Sequence, residues 1–224
     1  MPREYDVITF DCYGTLVDWE GGIAAAFAAQ ARALGVAFDR EAVLRAYHAI
    51  EPAVEAETVR SYREVLAETA RRVAARLGWS LRPADARFLA DSLPAWPVFP
   101  DTNPALDRLA AAGYRLGILS NVDNDLLAAT RRQLTAPFEL IVTAQQVRSY
   151  KPAHGHFLAA RERIGQARWL HAAQSYFHDV APARAMGLPV AWINRKAEPP
   201  AGQARATREL RLLAELADWL APRP

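Results

Sequence analysis

The chain has 224 residues, 51% of them hydrophobic and 23% charged, so it can build one large domain or a core with an inserted lobe and is not a disordered chain. With 27 Lys+Arg against 25 Asp+Glu the formal net charge is +2, which excludes the basic field of a nucleic-acid binder. The single cysteine, Cys12, excludes an internal disulfide framework and a multi-cysteine zinc site, and points to a reducing compartment. No apolar run approaches the roughly 18 residues that cross a bilayer. Met1–Tyr5 reads as charged and polar rather than as a signal peptide. A cytoplasmic globular protein without nucleic-acid or membrane partners is therefore expected. The basic residues are nearly all arginine, and Lys151 and Lys196 are the only lysines.

In chain order, Asp6–Phe10 predicts a first strand that runs into Asp11. Ile23, Phe27, Ala31 and Leu34 recur at helical steps and stop at Gly35, a C′ residue. Val43, Tyr47, Ile50 and Val54 form a second helical stripe in which Pro52 predicts a kink or break. Tyr62, Val65, Leu66, Thr69, Val73 and Leu77 form a third, and Ala84–Leu93 a shorter helix, so residues 20–93 read as almost entirely helical. After the Pro-containing stretch 94–104 the rhythm changes. Helices are predicted at Leu106–Ala112, Asp125–Leu134, Gly155–Ile164, Val180–Met186 and Thr207–Leu220. Strands are predicted at Tyr114–Leu119, Leu140–Thr143, Trp169–Ala173 and Val190–Ile193. Strands alternating with helices imply right-handed crossovers and a parallel sheet covered on both faces. The expected architecture is α/β, a doubly wound parallel five-stranded sheet formed by residues 1–16 and 98–224, with an all-helical cap at 17–97 inserted after strand 1.

In such sheets ligands sit beyond the carboxyl ends of the strands. The first strand delivers Asp11 there and the second delivers Ser120 and Asn121. The loop after the third delivers Lys151, the fourth delivers Ser175 and Asp179, and the fifth Asn194. A strand-end carboxylate can act as a nucleophile. It can also simply cap a turn.

Asp11-Cys12-Tyr13-Gly14-Thr15-Leu16, Ser120 after an apolar strand, Lys151-Pro152 and the acidic loop at Asp179 occur in that order at strand ends. With these motifs the whole chain resembles the haloacid dehalogenase superfamily. The resemblance implies a core with a helical cap and a covalent mechanism in which Asp11 attacks the substrate. Most members are phosphatases. They typically carry a second Asp two residues after the nucleophile, as acid/base for the leaving alcohol, and a fourth motif like G-D-x-x-x-D that holds Mg²⁺. Here those places are Tyr13 and, within Gln174–Asp179, Ser175. Phenol, with a pKa of about 10, is a poor general acid near neutrality. Mg²⁺ needs hard anionic oxygens. A halide leaving group needs no proton. The D-x-Y-G-T-L form, the Ser120-Asn121 pair and Ala191-Trp192-Ile193-Asn194-Arg195 resemble the L-2-haloacid dehalogenase branch.

That resemblance implies hydrolysis of small 2-haloalkanoic acids to 2-hydroxy acids without a metal cofactor. Asp11 displaces halide from C2, and water then cleaves the Asp11 ester. Lys151 neighbours Asp11 and keeps it ionised. Thr15, Ser120 and Asn121 supply hydrogen bonds to Asp11 or to the substrate carboxylate. Asp179 orients Lys151 or the water. Arg45 is the best match for a halide-binding cap arginine, although a shift of two residues puts Tyr47 there. Tyr13, Ser175 and Trp192 complete the substrate pocket. The partner implied is a small 2-haloacid, and a homodimer is common in the family. Two other readings stay open: a Mg²⁺-dependent phosphatase of small phosphomonoesters, and a catalytically idle binding domain. Cys12 reads as a buried packing residue, and His178 as a second base or a local hydrogen-bonding group. His48, His154, His156 and His171 show no metal-ligand spacing.

Overall fold

Val7–Phe10 (β1) is a run of four buried residues, mostly β-favouring, which is the pattern of a central strand in a parallel sheet covered on both faces. Arg115–Ser120 (β2), Leu140–Thr143 (β3), Trp169–Ala173 (β4) and Val190–Ile193 (β5) repeat it almost without exception. The structure, a computed structural model, describes residues 3–58 and 60–221. The strands all pair in parallel, and β1 lies between β2 and β4.

The sheet has six strands where the sequence predicts five. Arg208–Leu210 (β6), expected as the first turn of the closing helix, pairs in parallel with β5 from Ala191↔Arg208 to Ile193↔Leu210 and completes the order β3-β2-β1-β4-β5-β6. Leu210, Leu213, Leu216 and Leu220 are all buried, so a helix-like spacing of leucines extends through a strand residue. The closing helix is Leu213–Leu220. Its start is set by Asp101, whose carboxylate accepts the N–H of Leu213 at 2.6 Å and of Ala214 at 3.4 Å.

By internal contacts the chain divides into two compact units. One comprises Met1–Val17, Val98–Asn121 and Arg131–Pro224, and the other Asp18–Pro97 and Val122–Thr130. The α/β unit carries the sheet. The helical unit contains helices Trp19–Leu34, Arg40–Glu57 and Tyr62–Arg76. Gly35, at φ +66°, ends the first of them as expected. Pro52 does not break the second, whose last turn carries the fully buried Val54. The helix Asn124–Thr130 belongs to the helical unit because Asp123 caps the third helix there. Its carboxylate accepts the N–H of Tyr62 at 3.0 Å and of Arg63 at 2.9 Å.

Because β1 sits between β2 and β4, the residues that follow Phe10, Leu119 and Ala173 emerge side by side at the carboxyl edge of the sheet. This is the point where strand order reverses.

Candidate active site

Asp11 leaves β1 into a tight loop. Gly14 takes φ +99°, a region a Cβ would strain. The N–H groups of Leu16 and Val17 donate to the Cys12 carbonyl at 2.8 and 3.0 Å, which folds the chain back on itself. Thr15 thereby returns beneath Asp11. Its hydroxyl donates to Asp11 Oδ2 at 3.0 Å and accepts the Gln174 N–H at 2.9 Å. Arg195 secures the loop from the other side, donating to the Thr15 carbonyl at 2.9 Å while lying 3.9 Å from the Phe99 ring centre.

Lys151 is 1% exposed, and the three N–H donors of its ammonium meet three acceptors. They are Asp179 Oδ1 at 2.6 Å, Asp11 Oδ1 at 2.9 Å and the Leu119 carbonyl at 3.0 Å. Its backbone is held by Asn121, whose Nδ2 donates to the Lys151 carbonyl at 3.0 Å and whose Oδ1 accepts the Lys151 N–H at 2.7 Å. Asp179 lies on a widened π-helical turn, Tyr176–Val180, that comes after β4.

These contacts set the electrostatics. Burial, reinforced by the like charge of Asp179, holds the Asp11 carboxyl above the ordinary carboxylate range, with Lys151 and Thr15 working against the rise. Burial also disfavours charge on Asp179, but Lys151 and His171 outweigh it and hold this carboxyl below the ordinary range. Burial disfavours the ammonium too, yet the two carboxylates keep Lys151 charged above its usual pKa. Asp179, with two cation or N–H partners on one oxygen, is thus the firm anion, and Lys151 the bridge to Asp11.

Asp11, Thr15, Lys151 and Asp179 are therefore in one hydrogen-bonded cluster, with Ser120 and Asn121 beside it at the end of β2. Ser120 is fully buried, and its Oγ has no hydrogen-bond partner among the described residues. Three of the residues expected on the substrate have partners within the α/β unit. Asn121, expected on the substrate, spends its side-chain amide on the Lys151 backbone. Ser175, also expected on the substrate, caps the π turn, with its Oγ accepting the His178 N–H at 3.1 Å. Trp192 is 3% exposed, packs edge-on against Tyr176 and donates its indole N–H to the Gln174 carbonyl at 2.8 Å. It shapes the loop rather than presenting a face. Tyr13 is half-buried in the Asp11 loop, bridged through its backbone to Val17. Arg45 is exposed on the helical unit, while Tyr47 is buried there.

Sequence reasoning missed two buried histidines. His171 donates from Nε2 to Asp179 Oδ1 at 3.0 Å. His156, 0% exposed, contacts the Ser120 carbonyl through Nε2 at 3.1 Å and is pushed down to about 3 by burial and the nearby Lys151 charge, so its ring is neutral and Nε2 is the donor. Isolated histidines in apolar strands and helices carry no local signal of such a role. The one hint is the alternation of β4, which places His171 two residues from the strand end on a covered face.

The residues do not fit a magnesium site. The edge offers two carboxylates, Asp11 and Asp179, and an ammonium already bridges their Oδ1 atoms. Tyr13 and Ser175 add only neutral oxygens. Magnesium wants several hard anionic donors around one point.

The haloacid dehalogenase-like hydrolase family model matches residues 5–181. An (S)-2-haloacid dehalogenase of Pseudomonas putida is 30% identical over 148 residues, which span 64% of this chain and 65% of that protein. A second (S)-2-haloacid dehalogenase of Pseudomonas putida is 27% identical over 228 residues, 95% of this chain and 96% of that one. Among solved structures, a defluorinating L-2-haloacid dehalogenase shares the fold with a TM-score of 0.83 at 24% identity, covering 96% of this chain and 95% of that one.

Proposed function

We propose that this chain, which belongs to the haloacid dehalogenase-like hydrolase family, hydrolyses the carbon–halogen bond of small 2-haloalkanoic acids through an ester on Asp11. The observation that carries the proposal is the Asp11 carboxylate. It is buried at the sheet edge, with Oδ1 on the Lys151 ammonium and Oδ2 on the Thr15 hydroxyl. Each oxygen has one fixed donor and lone-pair capacity left for carbon. Burial strips the water that would blunt it. The two (S)-2-haloacid dehalogenases of Pseudomonas putida support the substrate class.

In the first step an Asp11 oxygen attacks C2 and the carbon–halogen bond breaks. Halide leaves with the bonding electrons, and no proton is needed. In the second, water adds to the Asp11 carboxyl carbon, the acyl–oxygen bond breaks, and the product leaves as a 2-hydroxy acid. One proton of that water passes to the departing alkoxide oxygen, the other is released, and the water oxygen stays on the Asp11 carboxylate. Lys151 balances the charge of Asp11 before attack, and Thr15 fixes its rotation. The unpartnered Ser120 hydroxyl is assigned to the substrate carboxylate. A phosphoester would instead demand a proton for its alkoxide, and Tyr13 is a poor donor at neutral pH.

The test is halide release from L-2-chloropropionate and phosphate release from p-nitrophenyl phosphate, each with and without EDTA. Halide release indifferent to EDTA is expected. Phosphate release abolished by EDTA, with no halide, would overturn the proposal. A cytoplasmic location and a homodimer are part of the same reading, and sedimentation at micromolar concentration decides the latter.

A further inference from the structure

We propose that His171 is a positioning residue for the Asp11 chemistry, one end of a buried hydrogen-bond chain of fixed direction that aims Lys151 through Asp179. The proposal rests on the dehalogenase reading for its kinetic consequences and on geometry alone for its existence.

Alternation along β4 puts Trp169 and His171 on one face, and the β1–β4 register sets Thr9 beside His171. The Trp169 indole N–H lies 2.7 Å from Thr9 Oγ1, which lies 2.8 Å from His171 Nδ1. His171 Nε2 is 3.0 Å from Asp179 Oδ1, the oxygen that accepts from Lys151 at 2.6 Å. Thr9, His171 and Asp179 are 0% exposed, so no bulk water substitutes for a lost link. The donor inventory fixes the direction. An indole N–H only donates, so Thr9 Oγ1 accepts it. An ionised carboxylate only accepts, so His171 Nε2 carries a hydrogen. In the neutral ring Nδ1 is then the acceptor, and the Thr9 hydroxyl supplies the donor. Phe157, edge-on at 5.2 Å and 88°, holds the imidazole plane.

The consequence is specific to Asp179. Its Oδ2 is buried without a hydrogen-bond partner among the described residues, so Oδ1 carries both anchoring bonds. Removing the His171 donor leaves the carboxylate free to rotate about its own bond and weakens the contact that points Lys151 at Asp11. The charged and titratable groups around Asp179 are Lys151, Asp11, His171, and the neighbouring His156 and His178.

The experiment compares wild type, His171→Phe and His171→Gln, in which the Gln amide can replace the Nε2 donor. Loss of a hydrogen bond to a charged group corresponds to roughly a ten- to hundredfold fall in kcat. His171→Phe is expected to show that fall for halide release with KM changed less than about twofold. The acid limb of its pH profile, set by Asp11, should move upward, because a loosened Asp179 no longer holds the Lys151 ammonium on Asp11, the contact that favours the charged carboxylate. His171→Gln should recover most of both effects. Equal kcat in all three proteins, or equal losses in Phe and Gln variants that track melting temperature alone, would overturn the proposal. ¹⁵N NMR of the wild-type histidines supplies an arm independent of substrate. A proton on His171 Nε2 with none on Nδ1 supports the chain, and an unprotonated Nε2 or a protonated Nδ1 overturns it. Wild type releasing no halide with Nε2 protonated would defeat the dehalogenase reading and leave the chain standing.

Discussion

Replacing Lys151 by Met keeps an unbranched apolar stem of the same length and deletes the ammonium at its end. Asp11 and Asp179 then lose the cation between their Oδ1 atoms, and the Leu119 carbonyl loses its lysine donor, all at a site where Lys151 is 1% exposed. Breaking a buried ion pair from one side costs about 3–5 kcal/mol. At about 2–4 °C per kcal/mol for a chain of this size, the melting temperature at pH 7 should fall by roughly 6–20 °C. The sign of the pH dependence is diagnostic. In wild type the depressed Asp179 carboxyl contributes stability above its unfolded pKa that is lost as pH falls through its lower folded value. In Lys151→Met the two carboxyls face each other without a cation, so their folded pKa values rise. Their contribution is then present at low pH and lost as pH increases. Between pH 7 and pH 5 the gap between variant and wild type should therefore narrow. Adding Asp179→Asn to Lys151→Met should restore part of the loss, since one of the two repelling charges is gone. Thermal denaturation monitored by far-UV circular dichroism at both pH values checks all three statements. A Lys151→Met protein that melts within about 2 °C of wild type at pH 7, or whose deficit grows on acidification, would refute the electrostatic reasoning.

Thr15→Val should lower kcat for halide release by roughly ten- to hundredfold by removing the donor to Asp11 Oδ2, with Thr15→Ser close to wild type. Because burial raises the Asp11 carboxyl, which must be ionised to attack, activity should fall on acidification at a pH above the ordinary carboxylate range, as a pH–kcat profile will show. In the helical unit, burial raises the Glu51 carboxyl to about 7, with the Tyr62 hydroxyl at 3.2 Å as its partner. A carboxyl raised in the folded state costs stability as pH climbs from its unfolded pKa through that value. Glu51→Gln should thus raise the melting temperature at pH 8, by an amount equivalent to at most about 3 kcal/mol, and leave it nearly unchanged at pH 4.5.

Much of the site is legible in the sequence because each parallel strand delivers its chemistry at one end. Apolar runs ending at Asp11, Ser120 and Ala173 locate the carboxyl edge, and the short loop from Cys12 to Leu16 brings Thr15 back to Asp11. What escapes is set by contacts between distant segments. Arg208–Leu210 becomes a strand because β5 is there to pair with it, not through its own spacing of leucines. Val122–Thr130 joins the helical unit through the Asp123 cap on Tyr62, a residue about sixty positions earlier. Asn121 is committed to the Lys151 backbone, and Trp192 to the Gln174 carbonyl, so side chains that look like ligand groups in a linear reading turn out to build the loops. His171 acquires its Thr9 partner only when β4 lies against β1.

A single-turnover reaction in H₂¹⁸O, with enzyme in excess over L-2-chloropropionate, tests the Asp11 ester most directly. Water that attacks the Asp11 carboxyl carbon leaves ¹⁸O in the peptide containing Asp11 and unlabelled oxygen in the first equivalent of 2-hydroxy acid, as mass spectrometry of the digest and product will show. Label in the product and none in the Asp11 peptide would mean that water attacks C2 itself, and would contradict an aspartyl ester.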